Sequence, residues 1–213
     1  MARPNNFTAE ALSRGAVPGW GYALARTISQ MLHPIILSLV SVFIVGLFGV
    51  EQTQTGLLWS LLCASIQIVP GAIFFAIRLK QGAYSDDDVS VRSQRNELYL
   101  FGVINLTVGL AMLWLLRAPA PLIALIASAA LLGLLSWGIN LYWKISIHAA
   151  TMGSTATLAT IYSKPLGLSL WLCALILGWA RVRTRNHTPM QVVAGLALAA
   201  VCVAGTFLVF GLL

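Results

Sequence analysis

Three short polar stretches, each at the mouth of an apolar run, hold most of the side chains in this chain that could do chemistry. The sharpest spans residues 180–191, where Arg181 and His187 lie six positions apart and Gln191 follows four positions later. Thr188-Pro189 begins the last apolar run, and proline suits the first position of a helix. His187 is therefore expected at a helix N-terminus, where free N–H groups and the helix dipole favour an anion. Arg181, with Arg183 or Arg185 nearby, can hold phosphate oxygens through charge-assisted and often bidentate hydrogen bonds. Gln191, one helical turn on and on the same side, can accept the ring proton of His187 and fix its tautomer. Taken alone, the loop reads equally as a basic membrane anchor with an incidental histidine.

The second stretch holds Lys144, Ser146 and His148. Ser146 is a good N-cap for the helix that follows, which puts His148 in its first turn. A histidine there is often only an interfacial polar residue, but beside His187 it becomes a candidate general acid for a leaving alkoxide. Lys144 can add charge to a phosphate or simply snorkel to the surface. The third stretch is the longest polar loop, with Asp86-Asp87-Asp88 and then Arg92 and Arg95. Three acids together could hold a divalent metal on a diphosphate. Glu97 is the only other acid nearby, so the expectation is a solvated loop paired to its own arginines, with Arg95 turned toward phosphate. His33, ahead of Pro34, reads as a helix-start residue, and Asn105 and Asn140 as interhelical hydrogen-bonding groups. Cys63, Cys173 and Cys202 read as small core residues.

The elements that must position these groups are membrane helices. The chain has 213 residues, 59% hydrophobic and 9% charged, with a mean hydropathy of +0.86. Soluble domains carry about 25% charged residues. Continuous rather than alternating apolar runs weigh against a β-barrel and predict an all-α, polytopic transmembrane helix bundle. At about 20 residues per span, the length accommodates six or seven helices and no separate soluble domain. Apolar runs at 28–50, 56–77, 98–116, 122–143, 146–162, 166–180 and 190–213 predict one transmembrane domain over 28–213. Residues 1–27 read as an interfacial segment (8–12 and 20–26) with no early apolar signal-peptide run. Pro70-Gly71 predicts a kink inside the second span.

Two spans separate each polar stretch from the next, so all three should emerge on one face. The same parity puts the N-terminus on that face and the C-terminus opposite. Of the 13 lysines and arginines, only Arg117 and Lys164 fall on the other side. The positive-inside rule then places the motif face in the cytoplasm. A net charge of +7 from so few residues is too sparse for nucleic acid, and it points to membrane lipids or a lipid phosphate as partner.

The order Arg95, Ser146-Ile147-His148, then Arg181-x5-His187 resembles the type 2 phosphatidic acid phosphatase superfamily, membrane lipid phosphatases related to vanadium haloperoxidases. The family pattern is Lys-x6-Arg-Pro, then Pro-Ser-Gly-His, then Ser-Arg-x5-His-x3-Asp, and the likeness covers roughly residues 78–205. It implies a haloperoxidase-like helical core and phosphoric ester hydrolysis through a phosphohistidine on His187. It also implies that His148 is the general acid, that Arg95 and Arg181 bind phosphate, and that no metal or other cofactor is needed. Several positions depart from the pattern: Asp88 stands for the lysine, Asn96 for the proline, Ile147 for the glycine, Ala180 for the serine and Gln191 for the aspartate. The run from His187 to Gly195 looks like a bacterial branch that carries glutamine at that position, and Lys144 or Arg92 can replace the missing lysine. The implied substrate is a phosphomonoester or diphosphate of a diacylglycerol or polyprenyl lipid, such as a prenyl diphosphate. The expected site is then His187, His148 and Gln191 for catalysis, with Arg181, Arg95, Lys144, Arg92 and Ser146 around the phosphate. Two alternatives stand beside it. One is a catalytically inactive structural or lipid-binding subunit of a membrane complex or homo-oligomer. The other is a prenyl transferase using the aspartates.

Overall fold

A computed structural model describes residues 19–213. The described residues form eight α-helices and one short 3-10 turn, with no strand among them. In chain order the helices are α1 (Trp20–Met31), α2 (Pro34–Gly49), α3 (Thr53–Lys80), α4 (Arg95–Leu115), α5 (Ala120–Asn140), α6 (Ile147–Tyr162), α7 (Lys164–Arg183) and α8 (Pro189–Val209). The 3-10 turn, Arg92–Gln94, leads into α4. Five segments are long and apolar enough to cross a membrane: α3, the turn with α4, α5, α7 and α8. This is an integral membrane helical bundle.

The expected first span, 28–50, is instead two helices. His33 accepts a hydrogen bond from the Ile35 N–H and caps α2, Pro34 occupies its first position, and α1 meets α2 at 41°. The pair counts as a sixth span only if taken together. The physical reason lies in the His33-Pro34 pair: His33 takes the extended backbone (φ −66°, ψ 143°) that a following proline favours, and Pro34 suits the first position of a new helix. The predicted boundary at 27/28 consequently falls inside α1. The expected interfacial residues 8–12 lie outside the described residues. α3 runs on as one helix through Pro70.

α6 has 16 residues, about 24 Å, short of the roughly 30 Å hydrocarbon thickness. It is buried against α2, α7 and α8, and its small residues let the backbones approach. One close approach is at Gly195 on α8, where an added Cβ would sit 2.8 Å from the Ser146 carbonyl at the start of α6. That contact presses the His148 end of α6 onto the His187 end of α8. Gly195→Ala is therefore expected to cost about 1–3 kcal/mol. Gly205→Ala on the same helix, where nothing lies within 4 Å, should be neutral or stabilising. Thermal unfolding of both variants in detergent checks this.

Helix polarity brings the polar stretches together. The C-terminal ends of α3, α5 and α7 and the N-terminal ends of α4, α6 and α8 share one face. Asp88 reaches Arg181, and Lys144 reaches the Asn186 carbonyl. At the other end of the bundle, Gly49 packs on Tyr162 and Pro121.

Candidate active site

The loop from α7 to α8 is folded by its own sequence. Thr184 bonds back to the Ala180 carbonyl, Arg185 takes a left-handed φ of 57°, and the His187 N–H returns to the Arg181 carbonyl. This turn carries His187 inward, where it is 5% exposed. Thr188 then starts α8 with a reciprocal capping box: its hydroxyl accepts from the Gln191 N–H, and Gln191 Oε1 accepts from the Thr188 N–H at 3.1 Å.

Gln191 Oε1 also lies 3.1 Å from His187 Nδ1. An amide oxygen that already accepts from a backbone N–H can only accept again, so Nδ1 carries the proton and the lone pair lies on Nε2. His187 Nε2 is buried and has no hydrogen-bond partner. Burial, followed by the charges of Arg181, Arg95 and Lys144, pushes this ring down to about 2. The ring is thus neutral at any physiological pH, as a nucleophile must be.

That depression predicts a pH dependence of stability. The unfolded histidine takes up a proton below about 6.5, whereas the folded one does not. Stability contributed by the neutral ring is full above pH 6.5 and falls as pH drops through that value, by about 1.4 kcal/mol by pH 5.5. His187→Gln should flatten the difference in unfolding temperature between pH 7.5 and 5.5.

Arg181 projects from the last turn of α7 and is fully buried. Its Nη1 donates to Asp88 Oδ1 at 2.9 Å, while Nε and Nη2 are buried without partners. His148, in the first turn of α6, points Nε2 at the same Asp88 oxygen from 3.8 Å, too far for a hydrogen bond. That nitrogen is also buried and unpartnered. Asn186 completes the grip on Asp88 with Nδ2 at 2.7 Å from Oδ2. Lys144 Nζ donates to the Asn186 carbonyl at 2.8 Å, and burial with the Arg95 and Arg181 charges pushes it down to about 8.

The remaining predicted phosphate ligands are engaged elsewhere. Arg95 is buried, but its guanidinium donates to the Val89, Ile145 and Asp88 carbonyls, tying the acidic loop to the start of α6. Its contribution to the pocket is a positive field. Arg92 donates to the Asn140 and Leu141 carbonyls at the end of α5. The Ser146 hydroxyl is committed as the cap of α6, accepting from the Ala149 N–H. The three aspartates diverge: Asp86 accepts from the Asp88 and Ser90 N–H groups, Asp87 pairs with Arg26, and Asp88 with Arg181. The expected pairing with the loop's own arginines is not what forms, because Arg92 and Arg95 are taken by carbonyls. Among the described residues, no group of three or more His, Cys, Asp or Glu has the arrangement to hold a metal ion.

Below this cluster a cavity of about 340 Å³ runs between α2, α3, α4, α5 and α6. Pro34 and Ile147, the neighbours of His33 and His148, line it near the site, and Gln67, Leu106 and Leu125 line it deeper. Known ligand pockets begin at about this size, roughly 300 Å³.

No family model, curated protein or solved structure matches the chain, so the site's own geometry must carry its reading. Sequence reasoning missed three participants. Asn186 grips Asp88 from the position before His187. His33 packs edge-on against the His148 ring, with centroids 5.5 Å apart. Asp88, read from sequence as one of three aspartates, fills the centre of the cluster, and that central place is what sequence reasoning did not supply.

Proposed function

We propose that this chain is a lipid-phosphate phosphatase that works through a phosphohistidine. The observation that carries the reading is the set of buried, unpartnered nitrogens on Arg181, His148 and His187, with the His187 lone pair directed to Nε2 by Gln191. Buried polar groups are normally satisfied, so this set calls for a ligand with several acceptor oxygens. A phosphate monoester or diphosphate supplies them.

In this reading His187 Nε2 attacks phosphorus while the bond to the lipid oxygen breaks. Burial and the Arg181 charge disfavour a proton on His148 in the empty pocket, so in this reading the negative charge of the bound phosphate brings the ring to its charged form, and it then gives its Nε2 proton to the leaving oxygen. Water then attacks the phosphohistidine, His148 takes up the water proton, and inorganic phosphate leaves with His187 restored. Arg181 holds the non-bridging oxygens, and Arg95 and Lys144 add field without direct contact. The cavity beneath accepts the acyl or prenyl chain of a diacylglycerol or polyprenyl substrate. The basic residues on the site's face favour the cytoplasmic side of a bacterial membrane.

One observation favours a second reading. Asp88 already pairs with Arg181, which suits a silent lipid-binding or structural subunit. Metal-free phosphate release from phosphatidic acid and prenyl diphosphates in detergent decides between them. Release well above the His187→Ala background supports the phosphatase, and its absence from folded protein supports the subunit.

A further inference from the structure

We infer that the loop between α3 and α4 is a lid, with Asp88 an internal occupant of the oxyanion pocket that an incoming phosphate must displace. This rests on the oxyanion reading above and adds to it a competitor built into the chain. The Asp88 carboxylate presents two oxygens and one charge, and both oxygens are used: one on Arg181 Nη1 at 2.9 Å, the other on Asn186 Nδ2 at 2.7 Å. It underfills the pocket. Arg181 Nε and Nη2 and His148 Nε2 remain buried without partners. A phosphate monoester brings more oxygens and a second charge, so it can meet donors that the carboxylate leaves unmet.

The carboxylate is held by a latch outside the pocket. On α1, Arg26 Nη2 lies 3.1 Å and Gln30 Nε2 3.0 Å from Asp87 Oδ2, one residue before Asp88. On the other side, Val89 is forced to a left-handed φ of 46°, which a β-branched residue rarely adopts. Arg95 pins that conformation through the Val89 carbonyl at 2.8 Å. The Asp88 side chain is 12% exposed, at the edge of the cluster, so it can swing outward without unpacking a helix. α1 carries Trp20, Leu24 and Met31 exposed along one side, which puts the latch on a helix with an apolar outer stripe.

The test is binding of inorganic phosphate to the full chain in detergent, by titration calorimetry, for wild type and two variants. Asp88→Asn removes the competing charge and keeps the side-chain shape. Arg26→Ala with Gln30→Ala opens the latch and leaves every pocket residue in place, so it decides the matter if Asp88→Asn fails to fold. Each variant is expected to bind phosphate about tenfold more tightly, because a binding-competent state that is a minority in wild type becomes dominant. Phosphate should also raise the unfolding temperature of Asp88→Asn more than that of wild type, which a merely structural salt bridge would not predict. Equal or weaker phosphate binding in both variants, with wild type binding measurably, overturns the lid and leaves the oxyanion reading standing. No binding by wild type or by either variant, with all folded, overturns both.

Discussion

Replacing His187 by alanine is expected to abolish phosphate release while leaving phosphate binding largely intact. The nucleophile is the one group for which this chain offers no substitute. His148 Nε2 lies across the Asp88 carboxylate rather than beside Gln191. Loss of the nucleophile from a comparable hydrolase site costs about 10⁶-fold in turnover, and a loss of that order puts this enzyme below detection. Binding should persist because Arg181, Lys144 and Arg95 keep their charges and their places. The covalent step gives a second readout: denaturation during turnover of a radiolabelled substrate should trap an acid-labile phosphohistidine in wild type and none in His187→Ala. His148→Ala should slow turnover by about 10²–10⁴-fold, the usual range for a general acid, and should still label. Wild type that releases no more phosphate than His187→Ala, yet binds phosphate, would make this a binding protein.

Much of the scaffold was legible because membrane helices announce themselves. A continuous apolar run has no other way to satisfy its backbone in lipid, so the bundle and its polarity follow from composition and parity. Capping was equally readable: Ser146 before α6 and Thr188-Pro189 before α8 act locally, within one turn. What could not be read was which charge meets which. Asp86, Asp87 and Asp88 look like one cluster in sequence, yet each turns to a different partner, two of them on helices 61 and 93 residues away. Arg95 reads from sequence as a phosphate ligand, and Arg92 as a replacement for the lysine that the resemblance implies. The carbonyls that claim them belong to a loop and a helix end whose positions are set by tertiary packing. His33 is a similar case: its role as a helix start is local, but its contact with His148 depends on α2 packing against α6. Short-range chemistry was visible and long-range pairing was not.

Gln191→Glu is expected to speed the reaction, by about 10²-fold. In Ser-His-Asp sites, exchanging the orienting aspartate for asparagine costs about 10⁴-fold, partly through the tautomer and partly through lost stabilisation of the imidazolium. Here the tautomer is already set, since Gln191 Oε1 faces Nδ1 at 3.1 Å and accepts from the Thr188 N–H. Only the charge is missing, so only part of that factor is there to recover. Glutamate is the same length as glutamine and is the usual partner in a capping box, so the helix start should survive unchanged. The added carboxylate would enter a region rich in Arg181, Arg95 and Lys144 charge, which lessens its desolvation cost. It would stabilise the positive ring that develops as Nε2 bonds to phosphorus. It should also raise His187 from about 2 toward its ordinary range, bringing the acid limb of the pH–rate profile up to meet it. Gln191→Leu makes the opposite case: it removes the Gln191 half of the capping box and the ring's partner together, costing about 1 kcal/mol of stability along with turnover. A Gln191→Glu protein that turns over no faster, with an unmoved pH profile, would reduce Gln191 to a helix cap. The orientation of His187 would then have to come from the Arg181–Asn186 turn that carries it inward.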